Sequence, residues 1–369
     1  MSEPKKQFNQ QYENASRFTR SVFDNFTGSE LPSELRRDLT ESYEFYLDDA
    51  DRTRLSEMGK VSRALHSVWY LCRNLFLKLT PIRRIILLIG TVVAFGGMPN
   101  DTDEVLFGFF LTFFVLGLEL KDKLNAHNEL ESGRAVQLAI MPDTTPELAG
   151  WQIWMYSTPA NEVGGDLIDH VSVSEDSLSL SLGDIAGKGL PAALMAVKIQ
   201  ATLRAIAPDY LDLTERTERL NSILMRDGLK SRFASLIHLT LSDHSPEITL
   251  VNAGHHPPIH IKDGTILELK RGGPAIGLTT TAKYPKEVCT LADGDLMVLY
   301  SDGITEARNT IGRFYSEERL KDLLQHTHGM DAVSVGHRIL RSVEDFVQRA
   351  RQSDDLSMIV IRRVPLAEI

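Results

Sequence analysis

Leu299-Tyr300-Ser301-Asp302-Gly303-Ile304-Thr305-Glu306-Ala307-Arg308-Asn309 is a hydrophobic strand that stops abruptly in an Asp-Gly turn. Such an ending presents a carboxylate at a sheet edge. The same grammar recurs upstream. Leu178-Ser179-Leu180-Ser181-Leu182 alternates at period 2 and runs into Gly183-Asp184-Ile185-Ala186-Gly187-Lys188-Gly189, after which a helix begins. Two aspartates at strand ends suggest a metal site on a sheet edge, because carboxylates are hard oxygen ligands suited to Mg²⁺ or Mn²⁺.

Outward from these turns, residues 151 to the end carry a mixed α and β texture. Strands are expected at 152–157, 167–173, 177–182, 233–241, 248–251, 258–262, 265–270, 296–300 and 357–362. Most are short and joined by hairpin-like turns such as Lys262-Asp263-Gly264-Thr265, which predicts antiparallel sheets. Helices are expected at 191–206, 213–228, 317–326 and 331–352.

The N-terminal part reads differently. Residues 8–84 are polar and helix-favouring, with two or three helices expected. Two uncharged runs follow, Ile85 to Met98 and Val105 to Leu118, separated by an acidic spacer. Each would be roughly 21 Å long as a helix, against a hydrocarbon thickness of ~30 Å. Neither run has a polar face, and Arg and Lys flank the pair on both outer sides. We therefore expect a transmembrane hairpin over 85–118, with both termini cytoplasmic and the acidic loop outside. A buried helical hairpin or a dimerisation element is the competing reading. A helical linker is expected over 119–142, ended by Pro142, and offers a route to a homodimer. The expected domains are thus 1–84 (helical), 85–118 (hairpin), 119–142 (linker) and 143–369 (catalytic).

Bulk composition narrows the function. At 369 residues and 43% hydrophobic content the chain can bury a large core. Its net charge of -10 and lack of a basic tract argue against nucleic-acid binding. Cys72 and Cys289 lie too far apart in sequence for a disulfide framework or a Cys-rich zinc site. The N-terminus lacks the apolar region of a cleaved signal peptide.

The residues that carry chemistry are aspartates in glycine-bordered turns: Asp166 after Gly164-Gly165, Asp184, Asp302, and the pair Asp354-Asp355. Singly, each is most simply a turn residue. Gly183 to Gly189 lacks the spacing of a P-loop. His255-His256 precedes Pro257-Pro258 and reads as structural, and Lys188 reads as an exposed loop lysine beside a helix N-terminus.

Taken in order, Glu162-Val163-Gly164-Gly165-Asp166, the run from Gly183 to Met195, Asn252-Ala253-Gly254-His255-His256-Pro257-Pro258, Gly277-Leu278, the run from Tyr300 to Asn309, and Asp354-Asp355-Leu356-Ser357 resemble the metal-dependent serine/threonine phosphatases of the PP2C superfamily. More narrowly they are similar to the bacterial SpoIIE/RsbU-type branch. Arg134-Ala135-Val136-Gln137 also resembles the helical lead-in of that branch.

The resemblance implies an α+β fold, a four-layer α-β-β-α sandwich with two central antiparallel sheets and a centre of two Mn²⁺ or Mg²⁺ ions. It makes Asp184 the carboxylate bridging both metals, with the Ile185 carbonyl a neighbouring ligand. Asp302 and Asp354 would hold one metal, Asp166 would bind a metal or its water, and Asp355 is a further candidate. The implied function is hydrolysis of phosphoserine or phosphothreonine on a partner protein, with a phosphorylated anti-sigma-factor antagonist as the expected substrate. The expected hairpin over 85–118, not the resemblance, sets the location at the cytoplasmic membrane, with the catalytic domain in the cytoplasm. The rivals are a catalytically silent phosphatase fold that binds a partner, and a membrane-tethered signalling scaffold. One departure stands out: where eukaryotic members carry Asp-Gly-His, this chain has Asp184-Ile185-Ala186, so the histidine assigned there as general acid is missing.

Overall fold

Alternating apolar residues can bury both faces of a strand only if each face meets its own layer. The computed structural model shows that arrangement. It describes residues 51, 54–55, 58–96, 102–142, 145–227, 232–270, 272–350 and 352–365. The chain forms two compact units, which divide between Lys123 and Leu124.

The first unit contains helices α1 (Lys60–Lys78), α2 (Pro81–Gly96) and the first part of α3 (Thr102–Ile140). Gly90 and Ala94 are the buried residues of α2. Much of the remaining apolar surface of α2 and α3 is exposed, including Ile82, Phe95, Phe110 and Phe113. Arg83 pairs with Glu119 and Asp122 at 2.7 and 2.6 Å.

The expected transmembrane hairpin over 85–118 is not supported. Helix α2 has 16 residues, about 24 Å of rise, and the apolar stretch of α3 runs on into Glu119, Lys121, Asp122 and Lys123. Among the described residues, no helix is long and apolar enough to cross a membrane. The second apolar run and the expected linker are instead one continuous helix, α3. The helices expected before residue 51 and the loop at 99–101 lie outside the described residues.

The second unit holds two five-stranded antiparallel sheets. One has the order β1-β10-β9-β6-β7 and the other β2-β3-β4-β5-β8. The first comprises β1 (Trp151–Thr158), β6 (Ile259–Lys262), β7 (Thr265–Glu268), β9 (Leu296–Tyr300) and β10 (Leu356–Arg363). The second comprises β2 (Leu167–Ser174), β3 (Ser177–Ile185), β4 (Ala234–Ser242), β5 (Ser245–Ala253) and β8 (Lys286–Thr290).

Period-2 alternation sorts the side chains into three cores. Leu178, Leu180 and Leu182 of β3 meet Ile359 and Ile361 of β10 between the sheets. Ile185, Leu236 and Val251 face α4 (Leu190–Ile206) and α5 (Leu213–Asp227) on one outer side. Met358, Val360 and Tyr300 face α7 (Glu317–Leu324) and α8 (Ala332–Val347) on the other. The short helical turn α6 (Asp302–Thr305) follows β9 directly. The expected four-layer α-β-β-α sandwich with two antiparallel sheets is therefore the fold of this unit.

Strand β8 has no counterpart in the sequence reading. Its residues, Lys-Glu-Val-Cys-Thr, alternate between exposed and half-buried at the edge beside β5. An edge strand of this kind lacks the apolar run that would announce it.

A buried polar cluster lies between α5 and the second sheet. Arg216 is fully buried; it donates to Ser179 Oγ at 2.9 Å, to the Tyr210 carbonyl at 2.7 Å and to His238 Nε2 at 2.8 Å. With Nε2 accepting, His238 Nδ1 is left to donate to Ser181 Oγ. Burial, together with the Arg216 charge, lowers the His238 pKa to about 3.

Candidate active site

Both sheets deliver carboxylates to the same end of the sandwich, where β10 packs against β2 and β3. Asp166 immediately precedes β2, Asp184 is the penultimate residue of β3, Asp302 opens α6 after β9, and Asp354 and Asp355 immediately precede β10. The antiparallel register Met358↔Tyr300 sets the start of β10 beside the end of β9. The Ser301 amide donates to the Ser357 carbonyl at 2.9 Å, and the Ser357 amide donates to Ser301 Oγ at 3.0 Å. These bonds fix Asp302 and Asp354 on neighbouring strand ends. Gly303 is required by close approach: a Cβ there would lie 1.9 Å from the Asp355 carbonyl oxygen.

Electrostatics tie the set together. Burial pushes the Asp184 carboxyl up to about 7, with the charges of Asp302, Asp354 and Asp355 adding to the effect and Lys188 opposing it. Asp302 is raised by burial and by Asp354. Asp166 is raised well above the usual carboxylate range, by burial first and then by Asp184 and Asp355, against the hydroxyls of Ser357 and Ser301. Like charges have been gathered where solvent screens them poorly.

Asp166 shows whether cations suit this place. Its side chain is only 4% exposed, and its Oδ2 has no hydrogen-bond partner. An unpaired, buried carboxylate oxygen is costly, and a hard divalent cation is the partner that relieves it. Asp166, Asp184, Asp302 and Asp354 supply hard oxygen donors from both sheets. The backbone of Gly165 passes close to the Ile185 carbonyl, so that a Cβ there would come within 3.3 Å of that oxygen. The donor set fits a magnesium or manganese centre. No three of these carboxylates bring oxygens within 4.8 Å of one another. Among the described residues the only trio that close is Asp176, Asp243 and His244, in the hairpin turns at the far end of β3 and β4.

Asp355 plays a different part from the one expected of a ligand. Its Oδ1 accepts from the Ala160 amide at 2.7 Å, and its Oδ2 accepts from the amides of Gly165 and Asp166. Both oxygens are spent on the loop before β2. That loop needs its glycines here too, since a Cβ on Gly164 would sit 2.7 Å from Asp355 Oδ2.

Other contacts went unread in the sequence. Gln137, near the end of α3 and 6% exposed, donates Nε2–H to the Gly164 carbonyl at 2.7 Å and accepts from the Gly164 amide at 3.2 Å. Helix α4 holds the same helix end: Gln200 and Arg204 donate to the Ile140 carbonyl at 2.9 and 3.1 Å. Lys188, in the loop before α4, donates to Asp354 Oδ2 at 2.8 Å and to the Ser353 carbonyl at 3.1 Å. Ser301 and Ser357 brace the strand ends from both sides. The only foreshadowing was the Gln137 lead-in and the position of Lys188 before a helix.

His255 is structural, as expected. It is buried between Ser235 Oγ at 2.8 Å and the Tyr300 carbonyl at 3.2 Å, and burial lowers its pKa to about 3. Neutral His255 donates from Nε2 to Tyr300 and accepts from Ser235, bridging the two sheets. His256 is exposed and stacks over the Tyr300 ring at 5.7 Å.

Comparisons with known proteins agree with this geometry. The sequence model of the Stage II sporulation protein E (SpoIIE) family matches residues 174–364, more than half of the chain. Protein IcfG of Synechocystis sp. is 25% identical over 285 residues, covering 68% of this chain and 43% of that protein. The chain therefore spans less than half the length of this relative. Phosphoserine phosphatase RsbU of Bacillus subtilis is 26% identical over 240 residues, covering 64% of this chain and 70% of that one. Among solved structures, the SiaA-PP2C domain of Pseudomonas aeruginosa superposes with a TM-score of 0.58 at 20% identity, covering 65% of this chain and 98% of that one.

Proposed function

The chain belongs to the SpoIIE family of PP2C-type phosphatases, and from that premise we propose that it hydrolyses phosphoserine or phosphothreonine on a partner protein through a two-metal centre. The observation that carries this reading is the buried, unpartnered Oδ2 of Asp166, set among Asp184, Asp302 and Asp354. Asp184, the Ile185 carbonyl, Asp302, Asp354 and Asp166 would hold two Mn²⁺ or Mg²⁺ ions. When bound, such ions polarise phosphoryl oxygens and lower the pKa of water.

The chain's own groups do the rest. Lys188 carries an ammonium at the rim, within reach of an incoming phosphate, and the N-terminus of α4 begins at the adjacent Gly189 with amides that favour an anion. Asp355 and Gln137 hold the Gly164-Gly165-Asp166 backbone in place from two sides. Ala186 occupies the place where eukaryotic members have histidine, so the leaving seryl oxygen takes its proton from water. The substrate we favour is a phosphorylated anti-sigma-factor antagonist in a partner-switching pathway, by analogy with RsbU-type relatives, and we read the catalytic unit as cytoplasmic. A silent binding fold is disfavoured, since a module that only binds has no use for four converging carboxylates.

The full chain is expected to hydrolyse p-nitrophenyl phosphate and a phosphoserine peptide in Mn²⁺, with Asp184→Asn and Asp302→Asn each abolishing turnover. Undiminished turnover in EDTA, or in either variant, would overturn the two-metal reading.

A further inference from the structure

Helices α7 and α8 flank an open furrow of about 960 Å³, lined by Asn309, Arg319, Met330, His337, Arg338 and Arg341 among others. On α8, Ser334, Arg338, Arg341 and Asp345 follow at helical spacing, so one face turns two guanidinium groups into the furrow. Arg319 adds a third from α7. Its guanidinium carbon lies 4.7 Å from the centre of the Phe346 ring, a cation–π contact that restrains the side chain. Among the described residues Arg338 donates only to Met330 Sδ, at 3.7 Å.

Elsewhere in this unit Arg204, Arg226, Lys283 and Lys286 are each matched to a carboxylate. Among the described residues none of Arg319, Arg338 and Arg341 is. The furrow contains one carboxylate, Asp345, against these three guanidinium groups. In a chain of net charge -10, such a concentration of unpaired positive charge is a local exception. Planar guanidinium forks match carboxylates in bidentate geometry. Three of them, without a longer basic track, suit a short acidic peptide better than a nucleic-acid backbone.

The position matters as much as the charge. A second hollow of about 170 Å³ shares Gln348 with the furrow and is lined by Gly303 and Ser353, the immediate neighbours of Asp302 and Asp354. The furrow is thus joined, through a hollow that Arg308 and Glu344 also line, to the backbone beside two of the site's carboxylates. We propose that the α7–α8 furrow docks an acidic segment of the phosphoprotein substrate, through Arg319, Arg338 and Arg341. This rests on the phosphatase reading above.

The test uses the full chain in Mn²⁺ with three probes: p-nitrophenyl phosphate, a phosphoserine peptide flanked by four Asp or Glu residues, and the same peptide with Asn and Gln in their place. The acidic peptide is expected to have a kcat/KM about tenfold higher at low salt, the yield of three exposed charge pairs together, and the advantage should shrink as salt is raised. The triple variant Arg319→Glu/Arg338→Glu/Arg341→Glu should lose that preference while turning over p-nitrophenyl phosphate at the wild-type rate. If the triple variant proves poorly folded, Arg338→Gln/Arg341→Gln decides in its place, with a partial loss expected. No preference in the wild type, a preference that survives in the variants, or competition by an RNA oligonucleotide but not by an acidic peptide would overturn the proposal. Failure of the wild type on p-nitrophenyl phosphate would instead count against the phosphatase reading itself.

Discussion

Asp184→Asn should make the protein more stable in chelator while destroying its activity. The Asp184 carboxyl is pushed from 3.8 to about 7 by burial and by three like charges. At pH 8 the native state holds it ionised against that environment, whereas the unfolded chain ionises it freely. A shift of this size corresponds to about 4 kcal/mol. Solvent still reaches part of the carboxylate, and halving the figure for screening leaves about 2 kcal/mol. In a unit of this size that is a rise in Tm of about 4–8 °C. The sign follows from the direction of the shift. A carboxyl whose native pKa is raised favours the fold below its unfolded pKa and loses that contribution as pH climbs through about 7. The gain from asparagine should therefore be complete at pH 8, shrink through pH 7 and vanish near pH 4. Scanning calorimetry in EDTA at several pH values measures it. Saturating Mn²⁺ should reverse the order, since only the wild type gains from binding. A variant that melts at or below the wild type in EDTA at pH 8, or whose gain does not depend on pH, would refute the reasoning.

Two further outcomes are expected. Gln137→Ala leaves the Gly164 amide and carbonyl without their partner, and should lower kcat about tenfold and weaken Mn²⁺ binding, with little change in KM for a phosphoserine peptide; an unchanged kcat by steady-state kinetics would remove Gln137 from the positioning of the site. Asp355→Asn presents an amide NH₂ to backbone N–H groups on one side and should cost about 1–3 kcal/mol by urea denaturation; a loss below a few tenths would contradict the role given to that carboxylate.

The legible parts of this fold were those with a local cause. Leu178, Leu180 and Leu182 alternate because β3 is buried on one face by the opposing sheet, and the turn at Asp302-Gly303 follows from a strand that must end. Strand β8 was illegible because an edge strand with polar residues has no period to read. At the site, Asp166, Asp184, Asp302 and Asp354 stood out as aspartates in glycine-bordered turns, took a joint role only from the resemblance, and are brought to one end by the sheet pairings. No spacing could have predicted that convergence, since Asp184 and Asp302 come from different sheets. The roles of Gln137 and Asp355 were hidden for the same reason: each acts on the backbone of a residue far away in sequence. The membrane reading of 85–118 weighed the lack of charge in two runs above their length. Helix α2 ends after 16 residues and α3 carries on into charged sequence.

Asp354 and Asp355 are identical, adjacent residues, yet their carboxylates serve different structures. The first, partly open to solvent, meets Lys188, while the second is consumed by three amides of the loop before β2. A substitution table scores the two positions alike. The molecule does not: damage at 355 propagates through the shape of a loop and should appear first in unfolding measurements, whereas damage at 354 should leave the fold intact and silence the chemistry. One dipeptide thus offers a built-in control, able to tell a phosphatase that has lost its reaction from one that has lost its scaffold.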